Sequence, residues 1–196
     1  MKKEIILASS NKNKIKEFSQ ILSDYKILSL SDIGFNDDIE ETGKTFVENA
    51  LIKAKTVSEF LKKQGIEKEV LADDSGLCVN ALNGEPGIYS ARYAGEHGNK
   101  EANIKKLQDK LKDFSDRSAY YVCVVVKYNP DGTYVYSEGK TEGEILKEKE
   151  GESGFAYDPI FFSKEINKSF GIATTDEKNS VSHRGKAIRK IKNMMS

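Results

Sequence analysis

The sequence predicts an α/β fold with a mixed β-sheet core and flanking helices. Three observations predict it. Early in the chain, short apolar runs alternate with stretches of helical periodicity, the pattern of strands joined by helices. Later, β-branched runs are joined by tight-turn residues, which adds antiparallel hairpins to the sheet. No repeat, low-complexity tract or Ser/Pro-rich linker interrupts the 196 residues. The chain therefore reads as one domain over residues 1–196, an arrangement that includes a single core divided into two lobes.

Residues 4–8 read as a short buried strand, and a polar loop follows. Ile15, Phe18, Ile21 and Leu22 then recur at helical spacing. Residues 26–30 form a second strand, and 31–43 a loop rich in Asp, Glu and Gly. In the long helix that follows, Phe46, Ala50, Ala54, Val57 and Leu61 make the core stripe, with Gly65 just past the end. Residues 69–73 are an apolar strand that stops at two acids, with Ser75 and Gly76 as the turn behind it. Residues 83–98 are irregular and carry the turn dipeptide Pro86-Gly87. A charged helix covers 102–111 and a long strand 118–128. Asn129-Pro130-Asp131-Gly132 turns the chain into a strand at 133–138, and another strand at about 142–146 continues the ladder. A glycine-bearing loop, an aromatic run at 160–162 and a basic helix over about 183–194 complete the chain.

Charge and composition exclude several classes of function. The 31 basic and 31 acidic residues cancel, so no net field drives the chain towards nucleic acid or a membrane surface. The opening MKKEIILASS lacks the long apolar region and cleavage site of a signal peptide. No run approaches the roughly 18–20 apolar residues of a membrane span. Cys78 and Cys123 are isolated among apolar residues and read as reduced thiols of a cytoplasmic protein. His97 and His183 lie at no zinc spacing from either cysteine. Any metal would take oxygen ligands, which points to magnesium, with manganese as a substitute.

Five constellations carry possible chemistry. The loop Ser9, Ser10, Asn11, Lys12, Asn13 and Lys14 opens a helix; hydroxyls, amides and lysines there make an anion cradle. Ordinary capping by Ser10 or Asn11 accounts for the same residues. Glu40 and Glu41 precede the long helix, where the helix dipole alone favours acids. On that helix Thr45, Asn49 and Lys53 share one polar face beside the core stripe; a lysine so placed ordinarily snorkels to solvent. Asp73 and Asp74, followed by Ser75 and Gly76, end an apolar strand, and strand carboxyl ends are where α/β sheets bind ligands. Ser182, His183, Arg184 and Gly185 open the last helix, either as a cap or as a donor-rich wall. In the segment from Gly154 to Pro159, Phe155 and Tyr157 flank Ala156 and precede Asp158; such aromatics fill a core or stack on a base.

The ordered set LASSNKNKIKE, EETGKTFVENALIKA, LADDSGL, GEPGIYSARYAG, SGFAYDPIF and DEKNSVSHRGKA resembles the inosine triphosphate pyrophosphatase family nearly end to end. The resemblance implies magnesium-dependent cleavage of non-standard purine nucleoside triphosphates to the monophosphate and pyrophosphate. It also implies two lobes around a central nucleotide-binding cleft, and a homodimer. By the same resemblance Ser9 through Lys14 form the nucleotide-binding loop, with Asn11 and Lys14 nearest the motif. Glu40 and Asp74 hold the metal, with Glu41 and Asp73 close by. Asp74 is the proton acceptor, Ser75 touches substrate, and Lys53 is the family's helix lysine. Phe155, Ala156, Tyr157, Asp158, Lys178, His183 and Arg184 make up the base-binding group.

Two departures stand out: Ala156 occupies a position where the family more often has Gly, and Ser9-Ser10 replaces its usual threonine. Serines there also resemble the Maf-type nucleotide pyrophosphatases, which lack the EETG, YDP and SHR set in this form. A nucleotide-binding module without catalysis is a third reading. Clustered carboxylates oppose it, since they repel a triphosphate unless a metal intervenes.

Overall fold

The computed structural model describes residues 2–151, 154 and 156–195. Seven strands form one mixed sheet in the order β2-β1-β3-β4-β5-β6-β7. They are β1 (Lys3–Leu7), β2 (Tyr25–Leu28), β3 (Val70–Val79), β4 (Ser118–Tyr128), β5 (Tyr134–Ile145), β6 (Phe161–Ser163) and β7 (Lys168–Ser169). β1 pairs in parallel with β2 and β3, whereas β5–β6 and β6–β7 are antiparallel. The helices are α1 (Lys12–Ile21), α2 (Phe46–Lys63), α3 (Lys100–Lys110), α4 (Thr175–Val181) and α5 (His183–Asn193). Among the described residues, no helix is long and apolar enough to cross a membrane.

Two expectations need correction, and one helix lies where the apolar pattern predicts none. β3 does not stop at its acids but runs on through Ser75 and Gly76 to Val79, so those two residues lie in the strand and make no turn. The strands expected at 133–138 and 142–146 are one strand, β5, whose burial alternates residue by residue from Ser137 to Ile145. α4 was not anticipated. Its entry is a capping box, in which the Thr174 hydroxyl accepts from the Glu177 N–H and the Glu177 carboxylate accepts from the Thr174 N–H.

The chain divides into two compact units, each drawn from separated stretches. The first comprises residues 1–74, 123–139 and 184–196. It has two apolar layers because strand side chains alternate. Ile5, Leu7, Leu71, Cys123 and Val125 pack with Phe18 of α1 and with Ala187, Ile188 and Ile191 of α5. On the other face, Ile6, Ala8, Val70, Ala72, Val124 and Val126 pack with Ala50, Ala54, Val57 and Leu61 of α2. The second unit comprises residues 75–122 and 140–183. Its core joins Leu77, Ile104, Leu107 and Ile145 to an aromatic group of Tyr121, Tyr157, Phe161 and Phe170.

Candidate active site

Continuity of β3 decides how its acids are used. Asp73 extends the row of Leu71, towards α1 and α5, and Asp74 extends the row of Val70 and Ala72, towards α2. The two carboxylates therefore meet different partners.

The Asp73 side chain is wholly buried. Its Oδ1 lies 3.0 Å from Lys14 Nζ, and its Oδ2 accepts from Arg184 Nε at 3.3 Å. Arg184 Nη1 donates in turn to Glu17 Oε2 at 2.8 Å. Burial alone would raise the Asp73 pKa. The charges of Lys14, Arg184 and Lys53 outweigh it and hold the carboxyl well below its usual range. Burial would likewise lower Arg184, but Glu17 and Asp73 push it up. Cys123, whose Sγ lies 3.8 Å from Asp73, is raised by burial and by that charge. It is a packing thiol and no nucleophile.

Asp74 accepts from Asn49 Nδ2 at 3.1 Å and lies 3.9 Å from Lys53 Nζ. Lys53 is closer to Glu41, at 2.8 Å. Burial raises the Asp74 pKa, and the like charge of Glu41 adds to it against the pull of Lys53. Lys53 is itself raised: burial opposes its charge, but Asp74, Asp73 and Glu41 outweigh that penalty. It does not snorkel, being 8% exposed. Asn49 is fixed at both ends, because its Oδ1 accepts from the Gly43 N–H at 2.8 Å. A Cβ at position 43 would lie 2.6 Å from that oxygen and 2.7 Å from Glu48 Cβ. The glycine of EETG is thus needed for close approach. Thr45, on the same expected polar face, is exposed and caps α2 by accepting from the Glu48 N–H.

In the first loop the capping reading is realised by Asn11. Its Oδ1 accepts from the N–H groups of Asn13 and Lys14 at 3.0 and 3.2 Å, and Ser9 Oγ accepts from the Asn11 N–H at 3.2 Å. Ser10, Lys12 and Asn13 are exposed, as is Glu40.

The second unit holds the other candidates. Ser75 is half-buried on β3. Tyr157 is buried and its hydroxyl donates to the Ser90 carbonyl at 2.9 Å. Asp158, also buried, accepts from Lys178 Nζ of α4 at 2.6 Å. Ala156 adopts φ = +50°, a left-handed conformation. His183 is buried, its ring stacked on Tyr121. Phe155 lies outside the described residues.

The structure thus brings together Lys14, Asp73 and Arg184 as one group, Glu41, Lys53 and Asp74 as a second, and Asp158 with Lys178 as a third. Sequence reasoning passed over Glu17 and gave Asn49 no site role. Glu17 does stand three residues after Lys14, on the same face of α1. Lysines beside carboxylates at a strand suit a polyanionic ligand whose charge a hard cation shares. Oxygen donors dominate, and among the described residues no three Asp, Glu, His or Cys groups converge on one point. That donor set fits magnesium, which takes one or two carboxylates and fills its other positions from phosphate and water.

The fold and the site define an α/β protein with paired cations and carboxylates along one strand, and relatives say which family it belongs to. The profile of the Ham1 family matches residues 5–194. The chain belongs to the Ham1 family. It is 50% identical to a dITP/XTP pyrophosphatase of Clostridium perfringens, over 97% of this chain and 96% of that one. A Staphylococcus aureus protein of the same name is 46% identical over 95% and 93%. Among solved structures, the Ham1 protein of S. aureus superposes with a TM-score of 0.88 at 45% identity, covering 98% of each chain. A HAM1 protein from Coxiella burnetii gives 0.87 at 40% identity, again over 98% of each.

Proposed function

We propose that this chain hydrolyses non-standard purine nucleoside triphosphates (ITP, dITP and XTP) to the monophosphate and pyrophosphate, clearing them from the nucleotide pool. The names carried by its relatives support the substrate class. The single observation that carries the chemistry is the opposite setting of two adjacent acids. Asp73 is held as an anion by Lys14 and the buried Arg184, so it makes a poor proton acceptor. Burial and the like charge of Glu41 raise the proton affinity of Asp74 against the pull of Lys53, which suits a general base.

In this reading Asp74 orients a water for attack on the α-phosphorus and takes its proton. Lys53 and Lys14 carry phosphate oxygens, while Asp73 fixes the positions of Lys14 and Arg184. Asn49 aims Asp74, and Ser75 follows it on the strand as a substrate contact. Asp74 and Glu41, with Glu40 beside them, would hold magnesium (or manganese). The metal supplies charge neutralisation to the triphosphate and its leaving group. The loop from Ser9 to Asn13 borders the phosphates.

Base recognition is assigned to Phe155, Ala156, Tyr157, Asp158, Lys178, His183 and Arg184. Arg184 has five N–H groups, of which Asp73 and Glu17 take at least two. Its donors suit a 6-oxo group and oppose the amino group of adenine. We assign residues 1–196 to one functional domain, since each compact unit is assembled from non-contiguous stretches. We further propose a cytoplasmic location, in keeping with Cys78 and Cys123 forming no disulfide, and a homodimer, which light scattering checks.

Pyrophosphate release across a panel of bases, with magnesium, manganese or chelator, tests the proposal. Strong turnover of ITP, dITP and XTP, weak turnover of ATP and loss with chelator are expected. Inosine diphosphate and phosphate as products would overturn attack at the α-phosphorus.

A further inference from the structure

The base-binding candidates of the second unit are linked by aromatic rings, of which Tyr121 and Phe170 lie outside every motif quoted above. His183 stacks on Tyr121 with ring centroids 4.6 Å apart and planes within 9°. Tyr121 lies nearly parallel to Phe170 in turn, at 6.3 Å and 13°. Lys178 Nζ stands 5.6 Å from the centre of the Phe170 ring while it pairs with Asp158 at 2.6 Å. Phe161 wedges the set, 4.6 Å from Tyr121 and 5.2 Å from Phe170. One stack therefore runs from His183 through Tyr121 to Phe170 and on to the Lys178–Asp158 pair.

We propose that Tyr121 is a positioning residue for base recognition: its ring fixes the plane of the His183 imidazole and ties it to Phe170 and Lys178. The inference rests on the base-binding assignment above. A histidine ring against an aliphatic neighbour can rotate about its last torsion, which is broad and two-fold. Against a parallel aromatic ring, with Tyr121 itself 5% exposed and wedged by Phe161, that rotation is blocked. The direction of the imidazole N–H groups is then set before substrate arrives, and a preset donor loses less entropy on binding. Strand β4 supplies the rigidity, because Tyr121 lies within it.

The test compares Tyr121→Phe, which keeps the ring, with Tyr121→Leu, which keeps apolar bulk but not the stack. In the free protein, imidazole NMR reports the stack directly. The chain has two histidines, and the exposed His97 is assigned by its own variant. His183 ring protons should be shielded in the native protein and in Tyr121→Phe, and lose that shielding in Tyr121→Leu. In turnover, Tyr121→Leu should raise KM for ITP about fivefold, the factor one aromatic pair carries. Its kcat should change little, its preference for ITP over ATP should fall by a similar factor, and Tyr121→Phe should match the native enzyme. A Tyr121→Leu protein with lowered Tm but native KM and base preference would make Tyr121 plain core and overturn the proposal. Unchanged His183 shielding in that variant would overturn it as well. Failure of the native protein to release pyrophosphate from ITP would instead refute the function, leaving the NMR result to judge the stack.

Discussion

Replacing each acid of the pair by its amide separates anchoring from catalysis, since the two substitutions should move stability and activity in opposite senses. Asp73→Asn removes the charge between Lys14 at 3.0 Å and the buried Arg184 at 3.3 Å, so Lys14 loses this carboxylate and Arg184 keeps only its pair with Glu17. Breaking a buried pair in this way costs about 3–5 kcal/mol. For a chain of this length that is a fall in Tm of roughly 10 °C. The Asp73 pKa is lowered in the folded state. Its contribution is therefore fully present above the unfolded value of about 3.9 and is lost as pH falls towards the lower folded value. The gap between native and Asp73→Asn proteins should close over that acid window. For Asp74 the sign is reversed: its folded pKa is raised by burial and Glu41, so at neutral pH its charge weakens the fold. Asp74→Asn should leave Tm equal to or above that of the native protein while lowering kcat at least about a hundredfold. Thermal melts from about pH 1 to 8, which span the loss of a paired carboxylate's contribution, and pyrophosphate release assays at neutral pH read both effects. An Asp74→Asn enzyme of near-native rate would refute the division of roles. So would an Asp73→Asn protein as stable as the native one.

Three further outcomes are expected. Gly43→Ala should lower kcat about tenfold to a hundredfold, because the added methyl displaces Asn49 and with it Asp74; steady-state kinetics with ITP measures it. Ala156→Gly should stabilise by about 0.5–1 kcal/mol, the strain of an L-residue at φ = +50° less the extra chain entropy of glycine. Denaturant midpoints read that gain, and Ala156→Val should move them the other way. Carboxyl NMR should find Asp74 titrating above the ordinary value in the free protein and moving down when magnesium is added.

Most helices and strands are legible in the sequence because their apolar spacing matches the layer they pack against. Ala50, Ala54, Val57 and Leu61 face one side of the sheet, and the strand over residues 118–128 appears with the bounds expected of it. Boundaries set by polar detail are less legible. An apolar run meeting two carboxylates reads as a strand end, because burying charge without partners is costly. The partners that remove the cost lie far along the chain: Lys14, Lys53 and Arg184 stand 59, 21 and 111 positions from the acid each one pairs with. α4 is a different case. Its Thr-x-x-Glu start was visible, but only seven residues follow, with too little apolar periodicity to mark a helix.

The extension of β3 through its acids is itself what separates their chemistry. Had the strand ended at Asp73, a turn could have swung both carboxylates to one side, where each would raise the pKa of the other. Regular alternation instead sends Asp73 to the α1 and α5 face and Asp74 to the α2 face. The partners on those faces differ in charge balance. Asp73 meets Lys14 and Arg184, and Arg184 is shared with Glu17. Asp74 has one cation at 3.9 Å, which is closer to Glu41. A strand flanked by helices on both faces can thus hold one carboxylate firmly ionised and its neighbour ready to take a proton, with a single peptide unit between them.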